Sequence, residues 1–114
     1  PPPLRLAQML EARRSIRPNL TANAAPVYRY YVYASPVAAP TADRTFRRSE
    51  YEGYEIKGLP EGGFKVGVLP MNVDFTGPDT PGFIWYPGTP DWDQAEVLVI
   101  ENANSITGID FEIP

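Results

Sequence analysis

The stretch that most constrains this chain is 52–68, EGYEIKGLPEGGFKVGV, where two runs of alternating side chains flank a turn. Tyr54 and Ile56 alternate with Glu55 and Lys57, and Phe64, Val66 and Val68 alternate with Lys65 and Gly67. That period of two belongs to strands with one buried and one wet face. Between the runs Pro60 fixes φ, and Gly62 and Gly63 accept the positive φ that reverses a chain without a Cβ clash. The segment therefore reads as a β-hairpin whose two arms face one core.

The same period recurs along the chain. In 15–22, Ile16, Pro18, Leu20 and Ala22 alternate with Arg17, Asn19 and Thr21; because Pro18 has no N–H to donate, such a strand belongs at a sheet edge or where its nitrogen faces outward. In 27–34, Tyr28, Tyr30, Val32 and Ala34 share the inward face, leaving Arg29, Tyr31 and Tyr33 on the other as an exposed strand face or an interface anchor. Residues 83–86 form a short strand, and 109–113 close the chain with Ile109, Phe111 and Ile113 inward. In 95–100 both faces are apolar. With Ala95, Val97 and Val99 taken as the core face, Leu98 and Ile100 are left for a covering loop or a partner. With 114 residues the chain is one domain, and its 14 prolines, 9 glycines and 7 tyrosines suit strands and turns. About seven strands in an all-β sandwich account for it.

Residues 1–17 differ: Leu6, Met9, Leu10 and Arg13 fall at helical spacing among good helix formers. A helix of about three turns is marginal alone, so its apolar stripe must find a surface, on its own domain or on a neighbouring copy. The division expected is an arm at 1–26 and a sandwich at 27–114. The chain opens on Pro1-Pro2-Pro3 without a methionine, which reads as a processed product or a portion of something longer.

Cysteine and histidine are both absent, which removes disulfides, thiol nucleophiles, the commonest general base and the commonest zinc ligands. A formal net charge of −4 argues against a nucleic-acid partner, and no apolar run reaches the length of a membrane span. Asp74, Asp79, Asp91 and Asp93 sit in loops without the spacing of a calcium cage, and a small sandwich offers no deep cleft to raise one carboxyl for glycoside hydrolysis. Hence no metal, cofactor or enzymatic activity is expected. Trp85, Tyr86 and Trp92 beside Asp91 and Asp93 suit sugar rings, which makes glycans one expected partner. Asn19-Leu20-Thr21 matches the glycosylation acceptor, and Arg44, Arg47 and Arg48 make the only basic cluster, a solvated loop or a contact for the acidic remainder of another copy. The excursion 69–82 holds three prolines and two glycines, and structureless loops of that length are often functional.

Taken together, 52–66, Trp85-Tyr86-Pro87-Gly88, Ala95-x-Val97-x-Val99 and Gly108-Ile109-Asp110-Phe111 resemble the carboxypeptidase regulatory-like domains, relatives of the Cna B-type and prealbumin-like sandwiches of surface proteins. The resemblance runs from about Tyr30 to Ile113 and implies a Greek-key sandwich outside the cell or on its surface. It also implies a first strand that nothing here matches well, a place for 16–22 or for a strand from another molecule. The lysine that some relatives use in an isopeptide bond lies on that strand, whereas Lys57 and Lys65 lie on the hairpin, so no such bond is expected. One expectation is then a structural protein that assembles head to tail into a fibre by strand addition, with Leu6, Met9, Leu10, Ile16, Leu20, Tyr31, Tyr33, Leu98 and Ile100 at the interface. The other is a spacer or carbohydrate-binding module of a larger protein.

Overall fold

The computed structural model describes residues 14–23, 25, 26, 29–102 and 104–113. The helix expected around Leu6, Met9 and Leu10 lies outside these residues, as does Tyr28. Nine strands are described: β1 (Ser15–Ala22), β2 (Ala25–Pro26), β3 (Tyr30–Pro36), β4 (Phe46–Arg48), β5 (Ile56–Lys57), β6 (Gly62–Pro70), β7 (Ile84–Trp85), β8 (Leu98–Ile100) and β9 (Ser105–Glu112). They exceed the seven expected because three of them are only two residues long.

The first sheet has four strands and is built on β1. β9 runs parallel to β1, while on the antiparallel side β5 meets its start, Ile16 opposite Ile56, and β2 its end, Thr21 opposite Pro26. Pro18 is accommodated because the β1–β9 register shifts between Ile16 and Pro18, and β5 and β2 pair with β1 only on either side of it. The second sheet has five strands. β3 lies along β6 from Phe64 to Pro70, β4 pairs with β3, and β7 and β8 share the remaining edge of β6.

Ile16, Leu20, Ile56, Ile109, Phe111 and Ile113 of one sheet pack on Val32, Ala34, Phe64, Val66, Val68, Leu98 and Ile100 of the other in a single buried layer. Each fully buried side chain of this kind contributes about 1.5 to 3 kcal/mol. Two sheets therefore close on a core that every longer strand shares.

Four expectations are corrected. The hairpin does not form: β5 belongs to the first sheet and β6 to the second, so 58–61 cross between the sheets. The cause is Leu59, fully buried in the shared core with its N–H donating to the carbonyl of Arg14, after a bend at Gly58 with φ 70°. Both arms still face one core. Second, Leu98 (8% exposed) and Ile100 (1%) point inward, while Val97 (47%) and Val99 (54%) point out. Directly paired residues share a face, and Leu98 sits opposite core-facing Phe64. Third, Ile16, Leu20, Leu98 and Ile100, expected at an interface, are buried in the shared core, and β1 takes a place in the first sheet beside β9. Fourth, β1 and β2, assigned to the arm by a boundary at 26, are strands of the first sheet.

The second sheet is buried on its outer face as well. Tyr33, Leu69, Phe83, Trp85 and Ala95 form a second cluster there, flanked by Tyr31, Val73, Phe75 and Trp92. The excursion after β6 supplies this cover, since its Val73, Phe75 and Phe83 lie on the aromatic face of β3.

Candidate functional site

Tyr31 and Tyr33 are two apart in β3, so both point to the outer face. Arg47 of β4 is paired directly opposite Tyr33 and shares that face. Its guanidinium carbon lies 4.2 Å from the centroid of the Tyr31 ring, and Tyr31 meets Tyr33 edge to face at 6.2 Å. Phe75 stacks on Tyr33 at 4.9 Å and 18°, and Phe83 closes on both rings edgewise at 5.5 and 5.6 Å. Tyr33 is thereby wedged, and its ring gives the site a rigid floor.

Above this floor is an open cleft of about 620 Å³, walled by Ala42, Thr45 and Arg47 on one side and Met71, Val73, Asp74 and Phe75 on the other. Thr45 is fixed by donating its hydroxyl to the Thr41 carbonyl at 2.8 Å and by lying 2.8 Å from the Ser35 hydroxyl. Burial raises the Tyr33 phenol above its ordinary pKa, and the neighbouring Arg47 opposes that rise. Of the three clustered arginines, Arg44 lies 4.0 Å from Asp43 and Arg48 lies 3.7 Å from Glu52. Arg47 makes no ion pair among the described residues. It is an exposed cation held over the Tyr31 ring and hydrogen-bonded to the Tyr33 phenol, and the exposed carboxylate of Asp74 lines the same cleft. The arrangement can stack an apolar face, clamp a carboxylate and accept hydroxyl hydrogen bonds. Among the described residues no three carboxylates gather closely enough to hold a metal ion.

Of the described residues expected to bind, the structure brings Tyr31 and Tyr33 to this cleft and places the others elsewhere. Trp85 is fully buried, stacked on Phe83 at 4.2 Å, so the expected sugar platform is replaced by a core tryptophan. Tyr86 points the other way, its ring edge-on to Phe111 at 6.1 Å at the margin of the shared core. Trp92 is half-buried: Lys65 Nζ lies 4.6 Å from its ring centroid and donates to its carbonyl at 2.6 Å. Asp91 accepts from the Asp93 N–H at 3.0 Å as a cap on the turn Trp92–Gln94. Asn19 is exposed on β1 opposite Asp110. Leu6, Met9 and Leu10 lie outside the described residues.

Sequence reasoning passed over Met71, Val73 and Phe75, and read Arg47 only as one of three loop cations. The signal was there: Val73 and Phe75 are apolar residues in the proline- and glycine-rich excursion 69–82, and they need a surface to cover. Tyr31 and Tyr33 are that surface. No helix among the described residues is long and apolar enough to cross a membrane. No protein-family model, no curated protein and no solved structure matches the chain.

Proposed function

We propose that the chain is a non-enzymatic structural module of a secreted or cell-surface protein, a Greek-key sandwich of the prealbumin or Cna B type, which engages extracellular ligands through the cleft on its outer face. The observation that carries this reading is Arg47, which makes no ion pair among the described residues and holds its guanidinium over Tyr31 in an aromatic-floored cleft. A cation held in place by aromatic rings, with no ion pair among the described residues, is organised for something outside the chain.

The experiment probes immobilised neutral and acidic polysaccharides and extracellular-matrix peptides with the wild type and with Ala42→Trp. Ala42 is an exposed wall residue, so the larger side chain fills the cleft without removing a packing contact. Binding by the wild type that is lost in Ala42→Trp at an unchanged melting temperature supports the reading. Binding that survives the substitution, or none to any surface, overturns it.

Self-association is the second reading, favoured by β8. Among the described residues β8 pairs only with β6, and Val97 and Val99 stand exposed along it beside Val37. An edge strand with apolar side chains on its outer face suits contact with a second copy. Sedimentation over a range of concentrations gives growing species in that case and a monomer after Val99→Lys. A monomer at every wild-type concentration removes it.

A further inference from the structure

We infer that the ligand of this cleft is a sugar carrying a single carboxylate, a uronic acid residue at the end or branch of a glycan; this rests on the cleft being a binding site. Three features combine to select it. Among the described residues Arg47 is the one cation lining the cleft, and its planar fork takes a carboxylate by two parallel hydrogen bonds. Because the guanidinium already lies on Tyr31, its orientation is set before the ligand arrives. Met71, Val73 and Phe75 then offer an apolar wall on which the C–H face of a pyranose ring can rest.

Asp74 decides between a sugar and an acidic peptide. Its exposed carboxylate lines the same cleft as Arg47. For a ring with vicinal hydroxyls it is an acceptor, while for a peptide bearing several carboxylates it is a like charge. The formal net charge of −4 acts in the same direction over a longer range, against a polyuronate chain and in favour of an isolated uronate. One arginine matches one carboxylate.

The test is a titration of the full chain, isotopically labelled and followed by NMR, with methyl glucuronide, methyl glucoside and N-acetyl-diglutamate as separate probes. The expected result is methyl glucuronide binding about ten- to a hundredfold more tightly than methyl glucoside, the margin of a charge-assisted contact. Shifts should centre on Tyr31, Thr45, Arg47 and Phe75. Arg47→Gln should erase the margin, Arg47→Lys should keep only part of it, and Asp74→Asn should weaken both sugars while improving the peptide. Methyl glucoside binding as tightly as the uronide, insensitive to Arg47→Gln, overturns the inference and leaves the cleft a binding site. So does tighter binding of the diglutamate. Absence of shifts at the cleft with all three probes, in a chain whose Ala42→Trp variant also keeps its polymer binding, overturns the cleft itself. The amide spectrum of each variant reports folding directly, so a misfolded variant is not mistaken for lost affinity.

Discussion

Gly67→Ala isolates the packing that sets the outer face of the second sheet. Gly67 is paired directly with Trp85, and the indole's six-membered ring closes over the space a Cβ would take. A Cβ built there would stand 2.5 Å from Cε3, 2.8 Å from Cδ2 and 2.9 Å from Cζ3 of Trp85. Carbon atoms prefer about 3.5 to 4.0 Å, so the ring would have to retreat by roughly 1 Å. It has nowhere to go: Phe83 is stacked on it at 4.2 Å and Trp92 meets it edgewise at 4.8 Å. Overpacking of this kind costs about 1 to 3 kcal/mol. Against that stands the roughly 0.5 to 1 kcal/mol by which alanine is favoured over glycine within a strand. The net expectation is a loss of about 0 to 2.5 kcal/mol, centred on about 1 kcal/mol.

Gly63→Ala, in the same strand, is the control. There the new Cβ would meet Val97 Cγ1 at 2.9 Å and Val37 Cγ2 at 3.7 Å, and both valines are exposed and free to turn aside. Its stability should stay within about 0.5 kcal/mol of the wild type. Urea unfolding followed by tryptophan fluorescence suits the comparison, since both tryptophans of the chain belong to this cluster. Far-UV circular dichroism on the same samples checks that the transition is two-state. A Gly67→Ala midpoint at or above the wild type, or an equal loss in Gly63→Ala, would refute the reasoning.

The facing of β8 predicts that Leu98→Ala costs about 2 to 4 kcal/mol while Val99→Ala costs under about 1, measured by the same urea titration; the reverse order would put Leu98 outside. Tyr33 predicts an alkaline weakness: its folded pKa is raised by burial above the ordinary 10.0, so the unfolded chain loses this proton first as pH rises. The stability it contributes is complete below pH 10.0 and is lost as pH climbs through the raised folded value, and Tyr33→Phe should flatten the part of the profile above pH 10.0. A profile unchanged by the substitution would show that another group is responsible.

Much of this fold is legible from alternation alone. Val32 and Ala34, Phe64, Val66 and Val68, and Ile109, Phe111 and Ile113 all lie on the faces that their spacing predicts, and the shared core is made largely of them. Alternation tells which side chains share a face, but it is silent on which strand lies alongside. That is why 52–68 reads as a hairpin and yet splits between two sheets, for the deciding residue, Leu59, sits in the intervening turn where no period is visible. In 95–100 the period is clear and its phase is hidden, because valine, leucine and isoleucine occupy both sides. The phase is set by Gly63, which has no side chain to cover and lies opposite Val99, and by Phe64, which does and lies opposite Leu98. The cleft was half legible. Tyr31 and Tyr33 were visible as an aromatic face, but their meeting with Arg47 depends on a β3–β4 pairing across nine intervening residues without regular structure.

The wet face expected of β6 is the most instructive departure, because Lys65 and Gly67 look like solvent positions and are buried. Each is suited to being covered. Gly67 leaves a socket into which an indole can lie, and Lys65 is covered by Trp92, its ammonium over the ring and donating to the Trp92 carbonyl. A bulky residue at either place would lift the covering segment away. The cover rests over β6 and reaches β3, where Phe75 stops on Tyr33. Beyond that point lie Tyr31 and the outward side of β4, with Arg47 turned back onto the ring. The cleft is thus the margin where the second layer ends. Its floor is as rigid as the cluster that wedges Tyr33, and its mouth takes the charge of the strand left uncovered. A ligand that binds there would not need to reorder the aromatic floor, so the affinity of the Arg47 contact should appear in full, undiminished by a conformational cost at Tyr33.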